Sequence, residues 1–252
     1  LLEKIKYYKD VLANEFMVLN IVKDELNEIK EKYGDERKTK IVPDESDIDI
    51  EDLIDDEETV VTLTHFGYIK RLPADTYKSQ KRGGKGITGL STREEDFVEN
   101  LFVTRTHDYI LFFTSKGKVY RLKAYQIPEA GRQAKGTAIV NLLELDQDEK
   151  ITTVIPISEY KEGLYLFLST KKGIVKKTDL MDYDNIRKGG LIAVSLREND
   201  ELIDVQLTDG TKDILLVTRN GLSIRFNEQD ARPLGRVSQG VRGIKLEDDD
   251  EV

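Results

Sequence analysis

The sequence predicts a mostly β protein: a propeller-like array of about four hairpin repeats behind one long amphipathic helix. Three observations carry that prediction. A Thr-x-x-Gly pattern, followed four residues after the Gly by a cation, recurs four times. A run of strand-forming residues precedes each copy, and apolar residues recur at helical spacing through the first 33 positions.

Taken in order, the helix comes first. Leu1, Ile5, Tyr8, Leu12, Leu19, Val22, Leu26, Ile29 and Tyr33 form a heptad-like stripe interrupted once near Glu15, and Gly34 is placed to end it. We read residues 1–38 as the C-terminal end of a coiled-coil helix, because such a stripe needs a partner to bury it. Packing on the chain's own domain is the alternative. The chain opens inside this helix without an initiator methionine, which predicts a fragment of a longer protein. Residues 39–58 follow as an acidic linker. Asp44 to Glu58 holds ten acidic residues and no basic one, too much charge and too few aromatics to pack, so a solvated tether is expected. A competitor for basic surface is the other reading.

Residues 59–252 form the repeat. Its copies are Thr64-His65-Phe66-Gly67 leading to Arg71, Thr114-Ser115-Lys116-Gly117 to Arg121, Thr170-Lys171-Lys172-Gly173 to Lys177, and Thr218-Arg219-Asn220-Gly221 to Arg225. The glycines lie 50, 56 and 48 residues apart, the period of propeller blades. Runs such as Tyr109–Phe113 and Ile214–Val217 are strand material, and the Gly suits the left-handed position of a hairpin loop. A weaker echo follows each hairpin, from Gly84, Gly136, Gly190 and Gly240 to a Leu six residues on. The chain closes just after the fourth echo, so the array is expected to be incomplete there.

Net charge of −9 conceals an uneven distribution. Thr59 to Leu246 carries 30 Lys and Arg against 24 Asp and Glu, whereas Glu247 to Glu251 are all acidic. The middle is basic and its flanks are acidic. Absence of cysteine removes disulfides and thiolate metal sites and suggests a reducing cytoplasm. No apolar run approaches the roughly 20 residues that span a bilayer.

Little in the sequence points to catalysis. His65 and His107 lie near strand ends without ligand-spaced partners and read as surface or turn histidines. Gly84-Lys85-Gly86 lacks the spacing and the Ser or Thr of a phosphate loop. The segment that stands out is Gln80-Lys81-Arg82-Gly83-Gly84-Lys85-Gly86, with three cations and three glycines in seven residues. Glycine lets backbone N–H groups approach phosphate oxygens, and the cations release condensed counterions. Further cations recur at matching positions. Lys70, Arg71, Lys118, Arg121, Lys176, Lys177 and Arg225 border the second strand of each hairpin. Arg132, Lys135, Arg187, Lys188, Arg236 and Arg242 follow in the loops. Set side by side on one curved edge they would form a track for a bent polyanion; as isolated strand-end charges they would merely guard edges.

Gln80–Gly86 resembles the signature box of the DNA gyrase A C-terminal domain family, with Lys81 where many members carry Arg. Gly67-Tyr68-Ile69-Lys70-Arg71 and Gly117-Lys118-Val119-Tyr120-Arg121 are similar to its blades, and Lys32–Thr39 to the end of the coiled coil before it. The resemblance implies a β-pinwheel whose blades exchange strands, with double-stranded DNA wrapped around the rim in a positive sense and the box required for wrapping. It implies assembly with the rest of gyrase A, as a dimer, and with gyrase B in an A2B2 complex. It implies ATP-dependent negative supercoiling in the bacterial cytoplasm, with ATP and Mg held elsewhere in the holoenzyme and no cofactor here. The family's catalytic tyrosine and arginine belong to an upstream domain, and none of the 11 tyrosines here occupies that motif. About four repeats are visible where gyrase-type members usually have six blades. The topoisomerase IV counterpart of gyrase A, which tends to have lost the box, and a protein-docking propeller are the alternatives.

Overall fold

A computed structural model describes residues 1–37, 39, 50–76 and 96–252. The chain divides into two compact units, Leu1–Ile48 and Asp49–Val252.

The first unit is helical, but the expected single helix is two: α1 (Leu2–Ala13) and α2 (Glu15–Tyr33). Asn14 makes the break. Its backbone is extended and its side chain accepts from the Phe16 amide at 3.1 Å, so it caps α2 instead of continuing α1. Gly34 ends α2, where a Cβ would stand 2.2 Å from the Lys30 carbonyl oxygen. The nine stripe residues are exposed.

In the second unit each Thr-x-x-Gly is the turn of an antiparallel hairpin. The hairpins are β1 (Glu58–Thr64) with β2 (Tyr68–Pro73), β4 (Tyr109–Thr114) with β5 (Lys118–Lys123), β8 (Tyr165–Thr170) with β9 (Ile174–Asp179), and β12 (Asp213–Val217) with β13 (Ser223–Asn227). The four glycines take φ of 72–94°, where a side chain is strained. The threonine closes the turn twice. Its carbonyl accepts from the glycine amide, and its Oγ1 accepts from the amide four residues on, at 3.1–3.3 Å. An acidic residue 30–35 positions later completes each turn. Asp96, Asp200 and Asp250 accept from the amide two residues after the threonine, while Glu149 accepts from Thr114 Oγ1 and the Tyr120 hydroxyl. Nothing in the repeat pattern of the sequence had marked this partner.

The intervening segments bind the hairpins into blades. A strand after each of the first three hairpins joins its first strand: β3 (Val98–Arg105), β7 (Ile151–Ile157) and β11 (Leu202–Thr208). Two-residue strands reach backwards: β6 (Thr137–Ala138) pairs with β2, β10 (Leu191–Ile192) with β5, and β14 (Val241–Arg242) with β9. They begin three of the four weak echoes of the sequence; the echo from Gly84 lies outside the described residues. Three four-stranded sheets result, ordered β3-β1-β2-β6, β10-β5-β4-β7 and β11-β8-β9-β14, while β12-β13 is a two-stranded sheet. Consecutive sheets pack face to face. Ile110 and Phe112 of β4 join the core shared with the first hairpin, and Leu111 and Phe113 the core shared with the third. Both faces of β4 are therefore buried, and its apolar run is continuous instead of alternating.

The acidic stretch departs from the expected solvated tether over its described part. Ile50–Leu53 is a short 3-10 turn, and residues 51–57 lie on the turn between β3 and β4. Thr106 Oγ1 donates to the Asp55 carbonyl at 2.7 Å, and Asp56 pairs with Arg105 at 2.7 Å. Glu51 meets Lys123 Nζ at 2.7 Å, and His107 Nε2 meets the Ile54 carbonyl at 2.7 Å. Arg105 of β3 and Lys123 of β5 thus offer this strap cations, and the turn offers it hydrogen-bonding groups, that charge composition alone does not reveal.

Candidate nucleic-acid interface

Strand register decides which of the expected cations are available to a ligand. Lys70 and Lys176, each three residues after a hairpin glycine, point into the gap that a later loop closes, and each is 1% exposed. Lys70 Nζ donates to the carbonyls of Gly131, Arg132 and Ala134 at 2.8–3.1 Å. Lys176 Nζ donates to the carbonyls of Ala193, at 2.7 Å, and Arg236. Lys177, also buried, donates to the Glu228 carbonyl at 2.7 Å and lies 5.3 Å from the Tyr165 ring centre. Burial pulls Lys70 below the ordinary lysine range and takes Lys176 down to about 8. These three lysines correct the expectation of a basic edge at their positions: they are staples between successive repeats.

Arg71 and Arg121 are half-committed in the same way. Arg71 Nε donates to the Ile127 carbonyl at 2.8 Å, and Arg121 covers the Tyr109 ring at 4.5 Å while donating to the Asp184 carbonyl. Lys118 lies 2.6 Å from Asp146, which raises its pKa and holds the carboxyl low. Arg236 donates to the Asp182 carbonyl at 2.9 Å. Arg225 is exposed but paired with Asp213.

The remaining exposed cations lie on or beside the loops that follow the hairpins. Arg132 and Lys135 precede β6, Arg187 and Lys188 precede β10, and Arg242 is on β14; all five are exposed. Each group occupies the same station in its repeat, between the second hairpin strand and the back-reaching strand, or on that strand itself. Gly136 and Gly240 let the loops approach the preceding hairpin. Both have φ of 87°, and a Cβ there would come within 2.4–2.5 Å of the Ile69 or Val175 carbonyl oxygen. Gln80, Lys81, Arg82, Gly83, Gly84, Lys85 and Gly86 lie outside the described residues. Among the described residues no group of three or more His, Cys, Asp or Glu is placed to hold a metal ion, and no helix is long and apolar enough to cross a membrane.

A family model described as the DNA gyrase C-terminal domain, beta-propeller, matches residues 58–105, 108–158, 164–209 and 212–252, together well over half of the chain. The chain belongs to the DNA gyrase A C-terminal domain family. Each matched segment of the gyrase family model contains one hairpin, so the family repeat and the observed unit coincide. The gyrase A protein of Clostridium acetobutylicum is 61% identical over 96% of the chain, and that of Halalkalibacterium halodurans 57% over 97%. The chain spans 29% of the length of either relative. Among solved structures, the C-terminal domain of DNA topoisomerase IV aligns with a TM-score of 0.69 at 31% identity, covering 79% of this chain and 60% of that one. A DNA gyrase A C-terminal domain aligns at 0.59 and 29% identity, covering 77% and 63%. The β-pinwheel architecture expected for the gyrase family is thus the observed one.

Proposed function

We propose that the chain binds double-stranded DNA through its phosphates, without reading sequence, and wraps it in a positive sense for ATP-dependent negative supercoiling by DNA gyrase. The observation that carries this reading is the recurrence of exposed cations at one station of successive repeats: Arg132 and Lys135, Arg187 and Lys188, and Arg242. Contacts of this kind position DNA without specifying it. Many are needed, because bending a 20–30 bp site by 40–90° costs on the order of 1–6 kcal/mol. In this reading residues 1–38 end a coiled coil of gyrase A, 39–58 link it, and 59–252 wrap DNA, with Gln80–Gly86 anchoring the path. The parent protein would dimerise and join gyrase B in an A2B2 complex at the nucleoid of the bacterial cytoplasm, with ATP bound by gyrase B. The TM-score of 0.69 favours a topoisomerase IV role; identities of 57–61% to gyrase A proteins favour supercoiling.

Salt dependence tests the phosphate contacts. The logarithm of duplex affinity should fall linearly with the logarithm of salt concentration, by about 0.9 for each phosphate neutralised. Changing Arg132, Lys135, Arg187 and Lys188 together to Ala should reduce the slope by about 3–4. An unaltered slope contradicts the reading.

A further inference from the structure

Two loops carry more than side-chain charge. Ala130-Gly131-Arg132-Gln133-Ala134-Lys135-Gly136 and Leu234-Gly235-Arg236-Val237-Ser238-Gln239-Gly240 share Gly at their second and seventh positions and Arg at their third. They occupy equivalent stations, each running past the second strand of the preceding hairpin before β6 or β14 begins. Parallel bridges at Arg71–Glu129 and Lys177–Pro233 fix their entry in the same way.

A buried lysine lies under each loop, and peptide planarity turns that into a statement about the other side. No peptide bond of the described chain is cis. In a trans peptide the C=O of one residue and the N–H of the next point in opposite directions. Lys70 draws the carbonyls of Gly131, Arg132 and Ala134 inward, so the amides of Arg132, Gln133 and Lys135 face away from it. Lys176 draws in the Arg236 carbonyl, and Ser195 Oγ donates to the Val237 carbonyl at 2.7 Å; the amides of Val237 and Ser238 are turned away from those donors. Ser238 N–H is used by the Gly235 carbonyl at 3.1 Å. The amides of Arg132, Gln133, Lys135 and Val237 donate to no other protein group among the described residues. Arg132 and Lys135 are exposed beside the first set. An open groove lined by Leu72, Pro73, Thr76, Glu129, Gly131 and Arg132 runs along that loop.

We propose that these two loops are backbone-amide cradles for phosphate oxygens, and that Lys70 and Lys176 are the positioning residues that hold the N–H groups outward. The ligand class is a phosphate monoanion or diester; resting on the proposed DNA role, its source is the duplex backbone. Successive outward amides favour an anion because they are fixed dipoles whose orientation is set before the ligand arrives. The Gly131–Lys135 cradle adds two cations. At the second loop the Arg236 guanidinium is turned to the Asp182 carbonyl, which leaves the Val237 amide as the free donor there.

Proline tests this without altering charge, because it deletes an N–H. Gln133→Pro with Val237→Pro should weaken duplex binding about tenfold for each amide lost, whereas Gln133→Ala with Val237→Ala should bind as the unaltered chain does. Equal affinity of the two pairs overturns the cradles. A second measurement needs no substitution at the loops. Amide resonances of the isotope-labelled chain are followed while a mixed-sequence duplex or inorganic phosphate is added. The cradles require that Arg132, Gln133, Lys135 and Val237 shift with the duplex, at concentrations where phosphate alone moves none of them. Duplex binding with these four unmoved overturns the cradles and leaves the DNA reading intact. Equal shifts with phosphate alone overturn the duplex as the source. Absence of duplex binding overturns both readings.

Discussion

At Lys176, burial and hydrogen bonding act on the same nitrogen. Leaving water pulls its pKa down to about 8, and two carbonyls accept from it. A neutral amine still offers two N–H groups, so both acceptors stay satisfied after the proton leaves. Three carbonyls around Lys70 require the full ammonium. The folded chain holds the Lys176 proton less tightly than the unfolded chain. Between about pH 8 and the ordinary 10.5 the unfolded state therefore carries the extra proton, and stability rises with pH. Tyr120 opposes this at higher pH. Burial pushes it up to about 12, so the unfolded chain loses that proton first and stability falls above about pH 10. Denaturant unfolding should show stability increasing from about pH 8 to 10, with Lys176→Met flattening the rise; a flat profile for the unaltered chain contradicts the account. Lysines at these positions read in the sequence as surface charge. Their burial was hidden because a strand packed on both faces has no solvent side for alternation to reveal.

Among the elements, the back-reaching strands depend on single glycines. Gly136→Ala puts a Cβ 2.4 Å from the Ile69 carbonyl oxygen on a backbone with φ of 87°. It should detach β6 and cost on the order of 1–3 kcal/mol in a urea titration. Gly131→Ala, with nothing within 4 Å of its Cβ and no positive φ, should be close to neutral. Equal costs would show that the close approach is unimportant. The hairpins were legible because Thr, two residues and Gly fall within one turn. Their acidic partners Asp96, Glu149, Asp200 and Asp250 were not, since they stand 30–35 residues further along the chain, beyond the reach of a turn motif. The break at Asn14 was visible only as an interruption of the stripe, and a single capping side chain was enough to divide the helix. The docking of residues 51–57 was likewise concealed by their charge.

For the whole repeat unit, stability is shared between neighbouring sheets. Phe112, fully buried between the first two sheets, should cost about 3–5 kcal/mol when changed to Ala. Leu215 on the two-stranded sheet is 63% exposed, and Leu215→Ala should cost less than about 0.5 kcal/mol. Similar losses at both would contradict the sheet-on-sheet packing. The period of the repeats made this architecture readable in advance, whereas the path of the cations depended on which side of each strand a lysine takes. The same fold thus buries some of its cations to hold loops and leaves others exposed on or beside those loops. In the proposed function the exposed set guides a curved duplex. Closed circular DNA relaxed by a type I topoisomerase in the presence of the chain, then freed of protein, measures it most directly. A linking-number distribution displaced to positive values is expected, and loss of that displacement when Arg132, Lys135, Arg187 and Lys188 are all Ala. An unchanged distribution with the unaltered chain, or a displacement to negative values, would contradict it.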